Sequence, residues 1–265
     1  MAFNPNELIL EKIRAVEEYD PATDELTGRY TQIESPSLQT GATATEVVDA
    51  MGTPIATFYT AQTGKFGFTN SLFSLDLAAS QYGTTKQVAT DVAKITMPVA
   101  ETITIASDNT ITLKYVPVGV EGAEVKYVKV INANNTFGET FTISATAGDG
   151  KFTIDAASKK ITLPVGTTGK AFVKYEKESA TAVKVSKSTS SVPEVKTLLI
   201  HAIFHDPCNK NLVYAGVIRC PRAQIDITST DLTLTPDGKH AASYKLEKEY
   251  CNEEATLFDI MVSED

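Results

Sequence analysis

Apolar and polar positions alternate along most of this chain, and one stretch breaks into a helical period. Between Asn70 and Gly83, residues Leu72, Leu75, Ala78, Ala79 and Tyr82 fall on one broad arc at ~100° per residue. Thr69 or Asn70 is placed to cap the first turn, and Gly83 to close the helix in the left-handed conformation. Phe73 and Leu77 form a second apolar pair on another side, set off by Asp76 on one flank and Ser74 and Gln81 on the other. A helix lying on one sheet needs only the first arc. The second pair is either a core contact under a loop or a surface for a neighbouring subunit.

Everything around the helix reads as strand. Lys12 to Tyr19 and Thr27 to Ile33 fit a hairpin joined by the turn chemistry of Asp20-Pro21-Ala22-Thr23-Asp24, although Asn4-Pro5-Asn6-Glu7 could instead open a short helix. Glu46 to Thr69 reads as strand, turn, strand, with Ile55, Thr57 and Tyr59 alternating with Ala56 and Phe58. After a loop at Thr84 to Thr90, a strand is expected to end near Met97-Pro98. Short strands follow at Thr110–Val116, Val125–Ile131, Phe137–Ser144, Lys151–Ile154, Lys160–Val165 and Ala171–Tyr175, with Asp149-Gly150 as a two-residue hairpin turn. Past a serine-rich loop at Ser186 to Ser191, strands are expected at Thr197–His205, Leu212–Arg219, Ala223–Ile227, Ser243–Lys248 and Leu257–Val262. Thr235-Pro236-Asp237-Gly238-Lys239 is a turn between two of them. The fold class is mainly β, a sandwich or barrel with one flanking helix over about 70–83, a strand-rich insertion and an extended N-terminal arm. The divisions are an arm or hairpin at 1–40, a β core from 41–100 and 190–265, and an inserted or elaborated block at 101–189, for which an immunoglobulin-like module is one option.

Composition narrows the function. The chain has 265 residues, 42% of them hydrophobic, no Trp, and a formal net charge of −9. An acidic surface does not grip phosphate backbones, although nucleic acid can pass it without sticking. The longest apolar runs, such as Leu198 to Phe204, are strand-length, so no membrane span is expected. The first residues, Met1 to Pro5, lack the basic and apolar regions of a signal peptide. Cys208, Cys220 and Cys251 are an odd count and no disulfide framework. Folding in a reducing cytoplasm is the expectation.

Three constellations could carry chemistry, and each has a plainer reading. His201, His205, Cys208 and Cys220 are zinc-ligand types, but two histidines four apart on a strand stand roughly 13 Å from each other. Gly166-Thr167-Thr168-Gly169-Lys170 looks like a phosphate loop, yet Pro164 and Ala171 stand where that motif needs glycine and a hydroxyl. No Gly-x-Ser-x-Gly elbow is present, and His240, beside Lys239 in a turn, is expected to be solvent-exposed. Pairs such as Asp226 with Asp231, or Glu253 with Glu254, carry no spacing signal. No catalytic residue, cofactor or metal site is assigned, and an enzyme is not expected.

Two stretches speak together. Val47 to Phe58 (VVDAMGTPIATF) leads through Gly64–Phe68 to the helix ending Ala78-Ala79-Ser80-Gln81-Tyr82-Gly83. Near the other end, Tyr214–Ile218 precedes Pro221–Asp226 and Leu232–His240, closing with Leu257–Ile260. This order of elements resembles the major tail tube protein of long-tailed bacteriophages, across roughly the first hundred and last seventy residues. The resemblance implies a β-sandwich or barrel with one flanking helix. It implies a virion protein whose copies stack as rings, by expectation hexameric, into the hollow tail tube that delivers the genome. The partners it implies are further copies, the tape measure, terminator and baseplate or tip proteins, and DNA that passes through without specific binding. Assembly would take place in the host bacterial cytoplasm. On this reading Phe73 and Leu77 meet a neighbouring subunit, together with Ile13, Val16, Tyr19, Tyr30 and Ile33 from the N-terminal hairpin. The alternative is a virion or cell-surface adhesion or decoration protein that uses the 101–189 block as a binding module, favoured if exposed aromatics cluster on one of its faces.

Overall fold

Period-two alternation is met by strands throughout the computed structural model, which describes residues 5–229, 235, 238–249 and 256–264. In chain order the elements are β1 (Ile9–Tyr19), β2 (Leu26–Tyr30), β3 (Ile33–Val48), β4 (Pro54–Asn70), α1 (Leu75–Tyr82), β5 (Gln87–Val88), β6 (Ile95–Thr104), β7 (Thr110–Thr112), β8 (Val125–Ile131) and β9 (Phe137–Ile143). They continue as β10 (Lys151–Asp155), β11 (Lys160–Thr162), β12 (Lys170–Ser179), β13 (Val183–Lys184), β14 (Val195–His205), β15 (Val213–Ile225), β16 (His240–Leu246) and β17 (Asp259–Ser263). Pro236 and Asp237 of the expected turn at Thr235–Lys239, with Asp231, Cys251, Glu253 and Glu254, lie outside the described residues. The chain divides into one unit of Met1–Lys86 with Val185–Asp265, and a second of Gln87–Lys184.

The first unit is one curled sheet in the order β2-β1-β14-β15-β16-β4-β3, with β17 pairing onto β15. The N-terminal hairpin is built into it: β1 sits between β2 and β14, and Val16 has no exposure. On the covered face Val16, Tyr30, Phe66, Phe68, Leu198, Ile200, Ala223 and Tyr244 form the core, with Leu77 of α1 packed on them. Burial of these large apolar side chains from several distant strands is what holds the sheet together. β15 is one long strand where two were expected. Pro221, which lacks an N–H, is tolerated because β14 bulges between Lys196 and Leu198, and β15 changes partner from β17 to β16 between Arg219 and Ala223. The Pro221 carbonyl is satisfied by the Thr197 hydroxyl at 2.9 Å.

The second unit follows one seven-strand path, β6-β12-β8-β9-β10-β11-β7, whose inward side chains share a single core. Val125, Val128, Phe141, Phe152, Ile161 and Val173 are all at 3% exposure or less. Its boundary falls at Gln87 and not near residue 101, because β6 pairs with β12 over its whole length, Ile95 to Thr104. Pro98 interrupts neither element, since β6 is an edge strand with an unpaired side. Asp149-Gly150 does make a tight turn, with Gly150 at φ +66° and Gly148 and Lys151 bonded to each other. It does not join a hairpin of β9 and β10, however: those strands run parallel, Lys151 opposite Thr142 and Phe152 opposite Ile143.

Candidate assembly surface

The helix is shorter than the expected 70–83 span, and its rotation differs. β4 runs on to Asn70, which pairs with Ile33 and His240 while its side-chain amide donates to the Leu72 carbonyl at 2.6 Å. Those bonds hold residues 70–73 out of the helix. Ser74 is the actual cap, its hydroxyl accepting from the Leu77 N–H at 3.2 Å, and Gly83 closes the end at φ +63°. The buried face is Leu77, Ala78 and Gln81 with Ala79, while Leu72 and Leu75 of the expected buried arc are 62% and 36% exposed.

Polar contacts set that rotation. Gln81 donates to the Ala241 carbonyl at 2.7 Å, so its carbonyl oxygen faces Nε2 of His240, also at 2.7 Å. That oxygen can only accept, which assigns the imidazole proton to Nε2. His240 is therefore not in solvent as expected. It opens β16, is 1% exposed, lies under the Phe73 ring, and its burial favours the neutral form. Ser80, the residue preceding Gln81, donates at 2.5 Å to Glu18, whose other oxygen accepts from Tyr244. Glu18 is wholly buried, which raises its carboxyl above the ordinary range. Gly28 gives this cluster room, as a Cβ there would stand 2.6 Å from the Tyr30 hydroxyl and 2.9 Å from Glu18.

The proposed contact residues therefore part company. Leu77, Val16 and Tyr30 belong to the subunit's own core and cannot meet a neighbour. Ile13 and Ile33 are half-buried against that core, and Tyr19 is half-buried with its hydroxyl donating to Glu17. Phe73 alone of the seven is exposed, at 56%, even while it stacks on His240. The mixture follows from β1 being an interior strand: its inward side chains fill the core, not an outer contact.

What sequence reasoning missed is a free-standing ribbon. Beyond Gly41 and Thr63, among the described residues β3 and β4 pair only with each other, through Thr43–Thr60, Ala44–Tyr59, Thr45–Phe58 and Val47–Ala56 to a turn held by Asp49. At about 3.3 Å per residue this arm reaches roughly 25 Å. One face carries Tyr59 and Ile55, 68% and 69% exposed, and the other carries Phe58 and Val47. A two-stranded hairpin with exposed aromatics on both faces is marginal alone, and contiguous exposed apolar surface marks an interaction site. The only signal in the sequence was the apolar alternation, which looks the same in a half-buried strand.

The side chains once weighed for chemistry are otherwise engaged. His201 Nε2 lies 3.0 Å from Glu17, and His205 lies 2.5 Å from Glu11 and 2.8 Å from the Lys210 carbonyl. The Glu11 bond raises the His205 pKa. Cys220 is buried, and its thiol is pushed up to about 12, while Cys208 is exposed. Among the described residues no three His, Cys, Asp or Glu side chains converge as metal ligands. The depression beside α1, lined by Asp20, Glu25, Asp76 and Glu194, has its lysines paired: Lys86 with Asp76 at 2.5 Å and Lys196 with Glu194 at 2.9 Å. Among the described residues no helix is long and apolar enough to cross a membrane.

No curated protein matches the chain. The YomU/Tube protein family matches it over residues 9–256, nearly its whole length. The chain belongs to the YomU/Tube protein family.

Proposed function

We propose that this chain is the repeating subunit of a phage tail tube, and that its copies close into hexameric rings that stack into a hollow conduit for the genome. The family name is that of a tube-type structural protein and fits a virion component with no catalytic task. The observation that carries the reading further is the β3–β4 ribbon, whose two apolar faces no described residue of their own subunit covers. Copies of the same chain supply cover on both sides at once, which a single small ligand does not.

Two further features support self-assembly. The first sheet ends in β2 and β3, and among the described residues β3 offers 16 residues of strand with β4 on one side only, an edge that pairs readily with another chain. Charge is also divided unevenly. Residues 1–86 and 185–265 hold 23 acidic and 13 basic residues, whereas residues 87–184 hold 10 acidic residues and 11 lysines. Acidic side chains of the first unit lining a lumen would repel DNA and let it slide. The other partners of this reading are the tape measure, terminator and baseplate or tip proteins, met as the tail is built in the host cytoplasm. Negative-stain electron microscopy of the purified chain tests it. Striated tubes or six-fold rings are expected, and a dispersed monomer at high concentration would end the proposal.

A further inference from the structure

The outer face of the second unit's sheet is laid out in three cross-strand rows over β6, β12, β8 and β9. The register puts Lys170 and Phe137 in the first row, Phe172 and Lys129 in the second, and Lys174 beside Tyr127 in the third. The other positions of these rows are threonine, alanine and isoleucine, so no carboxylate stands among them. Phe137 is 63% and Tyr127 38% exposed, and the Lys129 ammonium sits 5.1 Å over the Phe137 ring. Glu139, the nearest acidic residue of β9, occupies the bulge opposite Val130 and leans toward Gly150, away from this face. None of Lys129, Lys170 and Lys174 makes an ion pair among the described residues.

We infer that this lysine and aromatic face docks on the acidic first unit of a neighbouring copy, bracing one subunit of the tube against the next. The inference rests on the tube reading. Its ground is charge: the first unit holds ten more acidic than basic residues, while the second holds one more lysine than acid. Copies with a net charge of −9 repel one another when packed. Three lysines across these rows, with Glu176 one position beyond Lys174 on the same face of β12, set against the acidic unit of the next copy, offset that repulsion and fix the orientation of the contact. Exposed aromatic rings between the lysines supply the apolar area that a purely ionic contact lacks.

The test compares the full chain with the double variant Lys170→Glu and Lys174→Glu. The neutral pair Lys170→Gln and Lys174→Gln serves as an intermediate, and Lys151→Glu with Lys184→Glu controls for net charge. Pelleting assays at about 50 and about 500 mM NaCl give the critical concentration for tube formation. Reversal is expected to raise it about tenfold at low salt, neutralisation by less, and the control hardly at all, with the differences shrinking at high salt. Circular dichroism checks that each variant keeps its strands. Wild-type tubes with an unchanged critical concentration for the reversed variant would overturn the inference and leave the tube reading intact. A wild-type chain that forms no tubes at either salt overturns both. Retention of the wild type, but not the reversed variant, on a dextran sulfate column with assembly unaffected would also overturn it and assign the face to an anionic polymer.

Discussion

Ser80 on α1 donates a 2.5 Å hydrogen bond to Glu18 near the end of β1, and so ties the helix to a carboxyl that has no contact with water. Burial raises the Glu18 pKa above its ordinary value of 4.5. The folded state then holds a proton that the unfolded chain has released. The stability this contributes is complete below about pH 4.5 and is lost as pH rises through the folded pKa. Glu18→Gln removes the titration. The calorimetric melting temperature of the wild type should decline as pH rises above about 4.5, with the difference from Glu18→Gln tracing the loss. His240 and His205 titrate in both proteins and cancel. A difference that stays constant from about pH 4 upward would show that the fold does not raise the Glu18 pKa.

Leu77 has no exposure and meets the aromatic core, whereas Phe73, four residues earlier, covers one ring. Leu77→Ala should therefore destabilise the first unit by about 2–5 kcal/mol, as other emptied core sites do. Phe73→Ala removes one stacked pair and should cost about 0.5–1.5 kcal/mol. Denaturant melts of the two variants decide it. Equal small effects would mean that Leu77 is not a core residue.

Gly83 is irreplaceable on two counts. Its φ of +63° strains any L side chain, and a Cβ would lie 2.2 Å from the Val192 carbonyl oxygen, a backbone atom that cannot swing aside. Gly83→Ala is expected to lower stability by more than about 1 kcal/mol. Gly52→Ala shares the positive φ but has nothing within 4 Å, and it should cost less. The gap between the two variants measures the clash apart from the backbone strain.

Strands were readable where alternation is a local matter. Val125–Ile131 has the same bounds by pattern and in the structure, and Thr197–His205 differs from β14 by two residues. What could not be read depended on partners far along the chain. Leu77 points inward because Gln81 reaches Ala241, 160 residues away, and because Asn70 delays the start of the helix. His240 looked like a turn residue because the turn stops one residue short of it, and β16 then places it beneath Phe73. The alternation Ile55, Thr57, Tyr59 marked a strand but gave neither its pairing with β3 nor its exposure, since exposure depends on whether another layer exists to cover it.

That uncovered ribbon makes the last prediction the most direct. Phe58 and Tyr59 are on opposite faces of paired strands and touch no core residue, so replacing both with serine removes apolar area that only a partner could bury. Phe58→Ser with Tyr59→Ser should leave the melting of the isolated chain within about 0.5 kcal/mol of wild type, as surface changes usually do. The same variant should sediment as a dispersed species under conditions where the wild type pellets as tubes, because each copy loses two large contacts that occur once per subunit along the whole assembly. The comparison separates folding from association in one protein. A variant that melts normally and still forms tubes would mean that the ribbon is not the joint between copies, and that the sheet edges carry the contact alone.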